Sequence, residues 1–261
     1  MVLDDNKQKY PILISLHKSG STWINSYIHK RYRRIGATFP PNNLYTEMFC
    51  NGRQQNLGHK FVQRSYKERI ELLEKLRTFG IELNQKVHVP DICEVWDWFK
   101  EFYKDHDILV LKRRNIFSHF ISILFFQNIW DGVDIDKYPI PDHNLSRKDE
   151  DTLKSTIQVY NIKFKHIEKV WIDFIRHIRF LNDNVIRELQ WQGSNPQVIY
   201  LEDVWHDWLQ RRFHVQVNKG VLPFKTIDYK VYFKPDEMAK IKEKFDERFE
   251  NEFKFYGYEY K

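Results

Sequence analysis

A three-layer α/β/α fold with a central, mostly parallel sheet is what the sequence predicts, on three observations. Strand-length apolar runs recur along the chain, at Ile12–Leu16, Asp107–Arg113 and Gln197–Leu201, with a shorter alternating segment at Lys86–Pro90. Continuous apolar runs of this length suit strands buried on both faces. Helical periodicity fills the intervals, so strand and helix alternate as in parallel βα units. The chain has 261 residues, 42% of them hydrophobic and 16% aromatic. That is enough to bury a sizeable core, and residues 1–261 read as a single domain.

The first element carries the chemistry. Tyr10–Arg34 reads YPILISLHKSGSTWINSYIHKRYRR. Ile12, Leu13, Ile14 and Leu16 form the strand. His17–Ser21 is a small-residue turn holding one lysine, and from Thr22 onward Trp23, Ile24, Tyr27 and Ile28 fall at helical spacing. Strand, tight glycine turn and helix make a cradle for an anionic phosphate group. Backbone N–H groups of the turn point outward, and the helix dipole adds partial positive charge. Gly20 lets the backbone approach closely, Lys18 adds a full charge, and Ser21 and Thr22 add hydroxyl donors. This is not the nucleotide-triphosphate loop, in which the lysine follows a second glycine; here Lys18 precedes a single glycine by two residues. The bland alternative is a chance turn ahead of an amphipathic helix.

The remaining elements follow in order. The first helix is expected to end near Arg34, with Gly36 as its C-terminal cap. Lys30, Arg31, Arg33 and Arg34 near its end read either as a nucleic-acid patch or as cations complementing the helix C-terminus. Gly36–Gly58 is mostly loop. Ser65–Phe79 is a helix with Ser65 and Glu68 as a capping box and Gly80 as its stop. In KVHVP, Val87 and Val89 alternate with Lys86 and His88, so Lys86 and His88 share one strand face and Pro90 ends the strand. Asp91–His106 is aromatic, mostly helix core. After DILVLKR, Arg114, Ser118 and Ser122 lie close to one helical stripe, at i, i+4 and i+8. Guanidinium plus hydroxyl suits a phosphomonoester dianion, with Arg113 as a second contact pointing elsewhere. Trp130–Glu150 reads as loop. Ile157, Tyr160, Phe164, Ile167, Trp171, Phe174, Ile178 and Leu181 make a long amphipathic helix, either a dimer seam or a stripe packed on its own domain. Pro235 opens a last helix with acidic residues in its first turn.

Composition narrows the functional classes. The net charge of +6 favours anionic partners. Two cysteines, Cys50 and Cys93, make no framework, and the eleven histidines include no HExxH and no Cys/His cluster. A non-metalloenzyme of a reducing, cytoplasmic compartment is expected. No signal peptide or membrane-length apolar run is legible, and the Asn144-Leu145-Ser146 sequon is taken as chance.

The order of motifs resembles the sulfotransferase family, in its cytosolic and bacterial form. Lys18, Ser19, Gly20, Thr22 and Trp23 match its 5′-phosphosulfate loop, usually PKSGTTW; Ser21 is a conservative replacement and His17 stands where proline is usual. KVHVP is similar to the family's KTHLP, and Arg114 with Ser122 is similar to its 3′-phosphate site. The strand before Glu202 and Asp203 resembles its strand-then-YED segment, although Leu201 stands in place of the tyrosine. Lys219 and Gly220 resemble, faintly, the late segment closing over the 3′-phosphate, and the terminal FYGY resembles its FGY. The resemblance implies a P-loop-like phosphosulfate loop and 3′-phosphoadenosine 5′-phosphosulfate as donor, without a metal. It implies His88 as general base, Lys18 and Lys86 as charge stabilisers, and Trp23 stacking on adenine. Lys18, Ser19, Gly20, Ser21, Thr22, Trp23, Arg114, Ser122, Lys219 and Gly220 would hold the donor. The expected partner is a small-molecule or carbohydrate acceptor, with no nucleic acid and no membrane span, for a monomer or homodimer. Two rival classes are a nucleotide kinase-like phosphotransferase, which needs Mg²⁺ and an aspartate to hold it, and a basic nucleic-acid-binding module.

Overall fold

The computed structural model describes residues 11–21, 24, 25, 27, 28, 49, 65–79, 86–132, 167–204, 208, 211, 212, 230 and 233–260. Contacts divide the chain into two compact units, each built from two separate stretches: 1–112 with 177–217, and 113–176 with 218–261.

The first unit contains a four-stranded parallel sheet. Its strands are β1 (Ile12–Ser15), β2 (Lys86–His88), β3 (Ile108–Lys112) and β4 (Gln197–Tyr200), in the order β2-β1-β3-β4. All four predicted strands are present, although β2 stops at His88, where the sequence pattern extends to Val89. Pro90 explains the difference: with Val89 it opens the short helix α3 (Val89–Ile92), proline being tolerated in a first helical turn. The inner strands are apolar because they are wholly enclosed; Ile12, Leu13, Ile14, Leu109, Val110 and Leu111 have no exposed surface. Register pairs Leu13 with Lys86 and Leu109, and Ser15 with His88 and Leu111. In a parallel sheet such partners project to the same face.

The first helix, α1, is described at Ser21, Ile24, Asn25, Tyr27 and Ile28. Ile24, Tyr27 and Ile28 pack with Leu13, Leu109, Leu111 and Ile199, and Leu201 and Trp208 lean on this cluster. Ser65 caps α2 (Tyr66–Thr78) through the expected capping box, its backbone N–H donating to Glu68 Oε2 at 2.7 Å; Gly80 lies outside the described residues. The aromatic segment forms a turn of 3₁₀ helix (Cys93–Val95) and then α4 (Trp96–Phe102). Trp96, Phe99 and Tyr103 are buried there, and Trp96 Nε1 donates to Glu188 at 3.0 Å.

The second unit takes α5 (Ile116–Gly132), which runs to Gly132 although the sequence pattern places loop from Trp130. A helix once nucleated extends cheaply until a residue such as glycine weakens it. The long amphipathic helix appears as α6 (Ile167–Arg179), continued by a π-helical stretch, Phe180–Glu188, and by α7 (Leu189–Trp191); Ile157, Tyr160 and Phe164 lie outside the described residues. Up to Arg176 it belongs to the second unit, where Trp171 and Phe174 meet Phe120 and Phe245. Of the described stripe residues, Trp171, Phe174, Ile178 and Leu181 are buried within their own chain. Pro235 opens α8 (Pro235–Arg248) as predicted, with Asp236 and Glu237 in the first turn and the Lys234 N–H donating to Glu237. Among the described residues no helix is long and apolar enough to cross a membrane.

Candidate functional site

The chain order reverses direction across the sheet at β1, with β2 on one side and β3 and β4 on the other. In open parallel sheets ligands bind outside the carboxyl ends of the strands at such a switch. The His17–Gly20 turn leaves β1 at this point.

The turn is held by strained backbone and internal bonds. Lys18 has φ of 60° and Gly20 of 79°. The left-handed region costs a residue other than glycine about 1–2 kcal/mol, so Lys18 holds a conformation its own preference opposes. Ser19 is fully buried and donates its hydroxyl to the Leu16 carbonyl at 2.7 Å. That hydroxyl fastens the turn to the end of β1. Ser21 is buried and opens α1, and the Ile24 N–H donates to the Gly20 carbonyl at 3.3 Å. A Cβ on Gly20 would stand 2.7 Å from Leu201 Cδ1. The positive φ favours glycine here, and a side chain would also require the end of Leu201 to shift.

Lys86 and His88 come from β2, beside β1. Both are buried, and the register sets His88 next to Ser15. Ser15 Oγ lies 3.2 Å from His88 Nδ1, and the His88 ring also bonds the Leu16 backbone. Leu16 therefore ties the turn, through Ser19, to the ring of His88. The His17 ring packs against that of His88 with centroids 4.3 Å apart, tilted by 37°.

These neighbours share one electrostatic condition. Burial is the largest cause holding the His88 imidazole well below its ordinary value, followed by repulsion from His17 and Lys86; the bond to Leu16 opposes the shift but does not cancel it. His17 falls to about 4 through burial and then through Lys18, His177 and Lys86. Lys18 falls to about 7, through burial and then Lys86. His17 and Lys18 keep part of their surface open while lying deep among protein atoms. The result is two neutral imidazoles and a lysine poised near neutrality, arranged to gain from an approaching anion.

Lys18, Ser19, Gly20, Ser21, Lys86 and His88 lie together in the first unit. Arg114 and Ser122 lie in the second unit, and their pairing differs from the expected stripe. Ser122 accepts from Arg113 Nη1 at 3.1 Å and donates to the Ser118 carbonyl at 2.9 Å. Arg114 instead has its Nε 3.7 Å from Glu259 Oε1. The cause is the C-terminal tail: the Glu259 N–H donates to the Arg114 carbonyl at 2.8 Å and the Ile116 N–H to the Glu259 carbonyl at 3.0 Å, a parallel bridge between Asn115 and Glu259. Arg114 precedes α5, so helical spacing does not govern its direction. Thr22, Trp23, Lys219 and Gly220 lie outside the described residues.

Sequence reasoning gave no role to three residues around the first unit's edge. Ser15 was legible in principle, because strand alternation and pairing set it beside His88. His17 was visible only as a departure from proline. Lys112, the last residue of β3, is buried; it donates to Asn182 Oδ1 at 2.9 Å and sits 5.6 Å from the Tyr200 ring, and burial lowers it to about 7. Asn182, in the π-helical stretch, in turn donates to the Ile178 carbonyl of α6 at 2.7 Å. Among the described residues no group of three His, Cys, Asp or Glu side chains is arranged to hold a metal ion.

No family profile, no curated protein and no solved structure matches the chain.

Proposed function

We propose that this protein is a sulfotransferase that moves a sulfonyl group from 3′-phosphoadenosine 5′-phosphosulfate to a hydroxyl or amine of an acceptor. The observation that carries the reading is the grouping of Lys18, Lys86 and a neutral His88 around a glycine turn at the carboxyl end of β1. The acceptor oxygen forms its bond to sulfur as the bond from sulfur to the 5′-phosphate oxygen breaks. The electron pair leaves with 3′,5′-ADP, and the acceptor proton goes to His88. A base must be unprotonated to act, and burial holds His88 in that state. Charge develops on the bridging oxygen and the sulfonyl oxygens, where Lys18 and Lys86 supply stabilisation. The turn acts as a P-loop-like phosphosulfate cradle through its N–H groups. Arg114 and Ser122 are assigned to the 3′-phosphate by the sequence resemblance alone. Trp23 is assigned to adenine.

The reading includes a three-layer arrangement of helices on both faces of the sheet. It is supported by α1 packing on the Leu13 face and by Asn182 bonding Lys112, which projects to the other face.

A thermal-shift comparison tests the function. Stabilisation by 3′,5′-ADP without Mg²⁺, exceeding that by ATP–Mg²⁺ or a mixed-sequence oligonucleotide, is the expected result. A larger shift with ATP–Mg²⁺ would favour a phosphotransferase, and one with the oligonucleotide a nucleic-acid-binding module.

A further inference from the structure

Two strand ends and one turn bring four basic side chains into a single buried neighbourhood. His17 and Lys18 come from the turn after β1, and Lys86 and His88 from β2. The two imidazoles lie ring against ring at 4.3 Å. Ser15 Oγ and the Leu16 carbonyl hold His88 from the β1 side, and the charge of His177, just inside the first unit on α6, acts on His17. Leu201, which faces the turn from the end of β4, is apolar. Protonating any one of these basic groups raises the cost of protonating the others.

An anion entering the neighbourhood reverses that balance. It supplies negative charge that offsets the mutual repulsion of the protonated groups, and its oxygens accept the N–H bonds that protonated imidazole and ammonium offer. We infer that the His17–Lys18–Lys86–His88 cluster captures a phosphate or sulfonate group together with protons from solvent, so that anion binding and proton uptake are one coupled event. The choice of ligand rests on the sulfotransferase reading; the coupling rests on the cluster. Linkage is reciprocal, so what draws the proton in also tightens the anion.

The groups divide the work by pH. Lys18, lowered to about 7, is half neutral near neutrality and mostly neutral above it. It is the receiving group in the alkaline range. His17 and His88, depressed further, become receiving groups only in the acid range, where a nearby anion lifts them. Uptake therefore persists across neutrality with its site changing, and affinity weakens as pH rises above about 7 because the proton becomes scarcer.

The test is calorimetric titration of the full chain with 3′,5′-ADP, and separately with sulfate, in two non-phosphate buffers of unequal ionisation enthalpy. At about pH 8 a phosphomonoester is already a dianion, its second pKa being about 6. Protons taken up then go to the protein. The expected result is a buffer-dependent enthalpy of the sign of uptake, at about 0.5–1 proton per anion. Lys18→Met should abolish it at that pH. His17→Phe should leave it intact there and reduce uptake at about pH 6. Binding of 3′,5′-ADP and sulfate with buffer-independent enthalpy, or with proton release, overturns the coupling and leaves the sulfotransferase reading standing. Sulfate bound with uptake and 3′,5′-ADP not bound overturns that reading and upholds the coupling. Absence of binding by both anions overturns the two together.

Discussion

Replacing Gly20 by alanine separates the two constraints on the turn. The backbone there has φ of 79°, and a new Cβ meets Leu201 Cδ1 at 2.7 Å and Cδ2 at 3.0 Å. The backbone part costs about 1–2 kcal/mol. The steric part falls on the end of a leucine side chain, which can rotate; but Leu201 packs against the Leu13–Ile199 cluster and yields only partly. Overpacking of this kind costs about 1–3 kcal/mol, and the lower half of that range applies. Gly20→Ala should therefore destabilise by about 2–4 kcal/mol in the parent and by only about 1–2 kcal/mol in a Leu201→Ala background, where the clash is gone. Urea unfolding of the four proteins, read at unchanged m-value, closes the cycle. A Gly20→Ala cost below about 0.5 kcal/mol, or one equal in the two backgrounds, would refute the assignment of the clash to Leu201.

Burial lowers Lys112 to about 7, so between that pH and its unfolded value the unfolded chain binds more protons, and stability should rise with pH. In Lys112→Met the rise between about pH 7 and 10 should be smaller than in the parent by thermal melting, and an identical pH profile would contradict the cause given. Arg113→Ala removes a buried bond to Ser122 and should lower stability by about 1–3 kcal/mol, whereas Arg114→Ala, losing a partly exposed pair with Glu259, should cost about 0–1 kcal/mol. On the proposed function the order inverts for ligand: Arg114→Ala should weaken 3′,5′-ADP by about 1.5–3 kcal/mol and leave 5′-AMP unchanged, and equal losses for both nucleotides would remove Arg114 from the 3′-phosphate.

The strands and most helices were legible because burial on two faces demands apolar runs, and amphipathic helices demand their own spacing. Ile12–Ser15, Ile108–Lys112 and the Ser65 cap are cases in which local sequence and tertiary environment agree. What was not legible depended on pairing between distant segments. Arg113 and Arg114 are adjacent and chemically alike; the tail residue Glu259, bridged to Asn115, sets their different partners. His17 gains its importance from a ring contributed by β2, and Leu201 from a turn 181 positions earlier (201 minus 20). The π-helical stretch at Phe180–Glu188 continues an ordinary amphipathic pattern, so nothing in the periodicity announced it.

Transfer of label from a donor carrying a marked sulfonyl group to a panel of hydroxyl and amine acceptors measures the proposed chemistry itself. Single-turnover rates of the parent and of folded His88→Ala, both saturated with donor, isolate the proton-transfer step from binding. The predicted result is transfer by the parent and a rate about 10²–10⁴-fold lower in His88→Ala, with affinity for 3′,5′-ADP nearly unchanged at about pH 8, where His88 is not the receiving group. Transfer by His88→Ala within about threefold of the parent would remove the base from the mechanism, and no transfer by the parent to any acceptor would contradict the sulfotransferase reading.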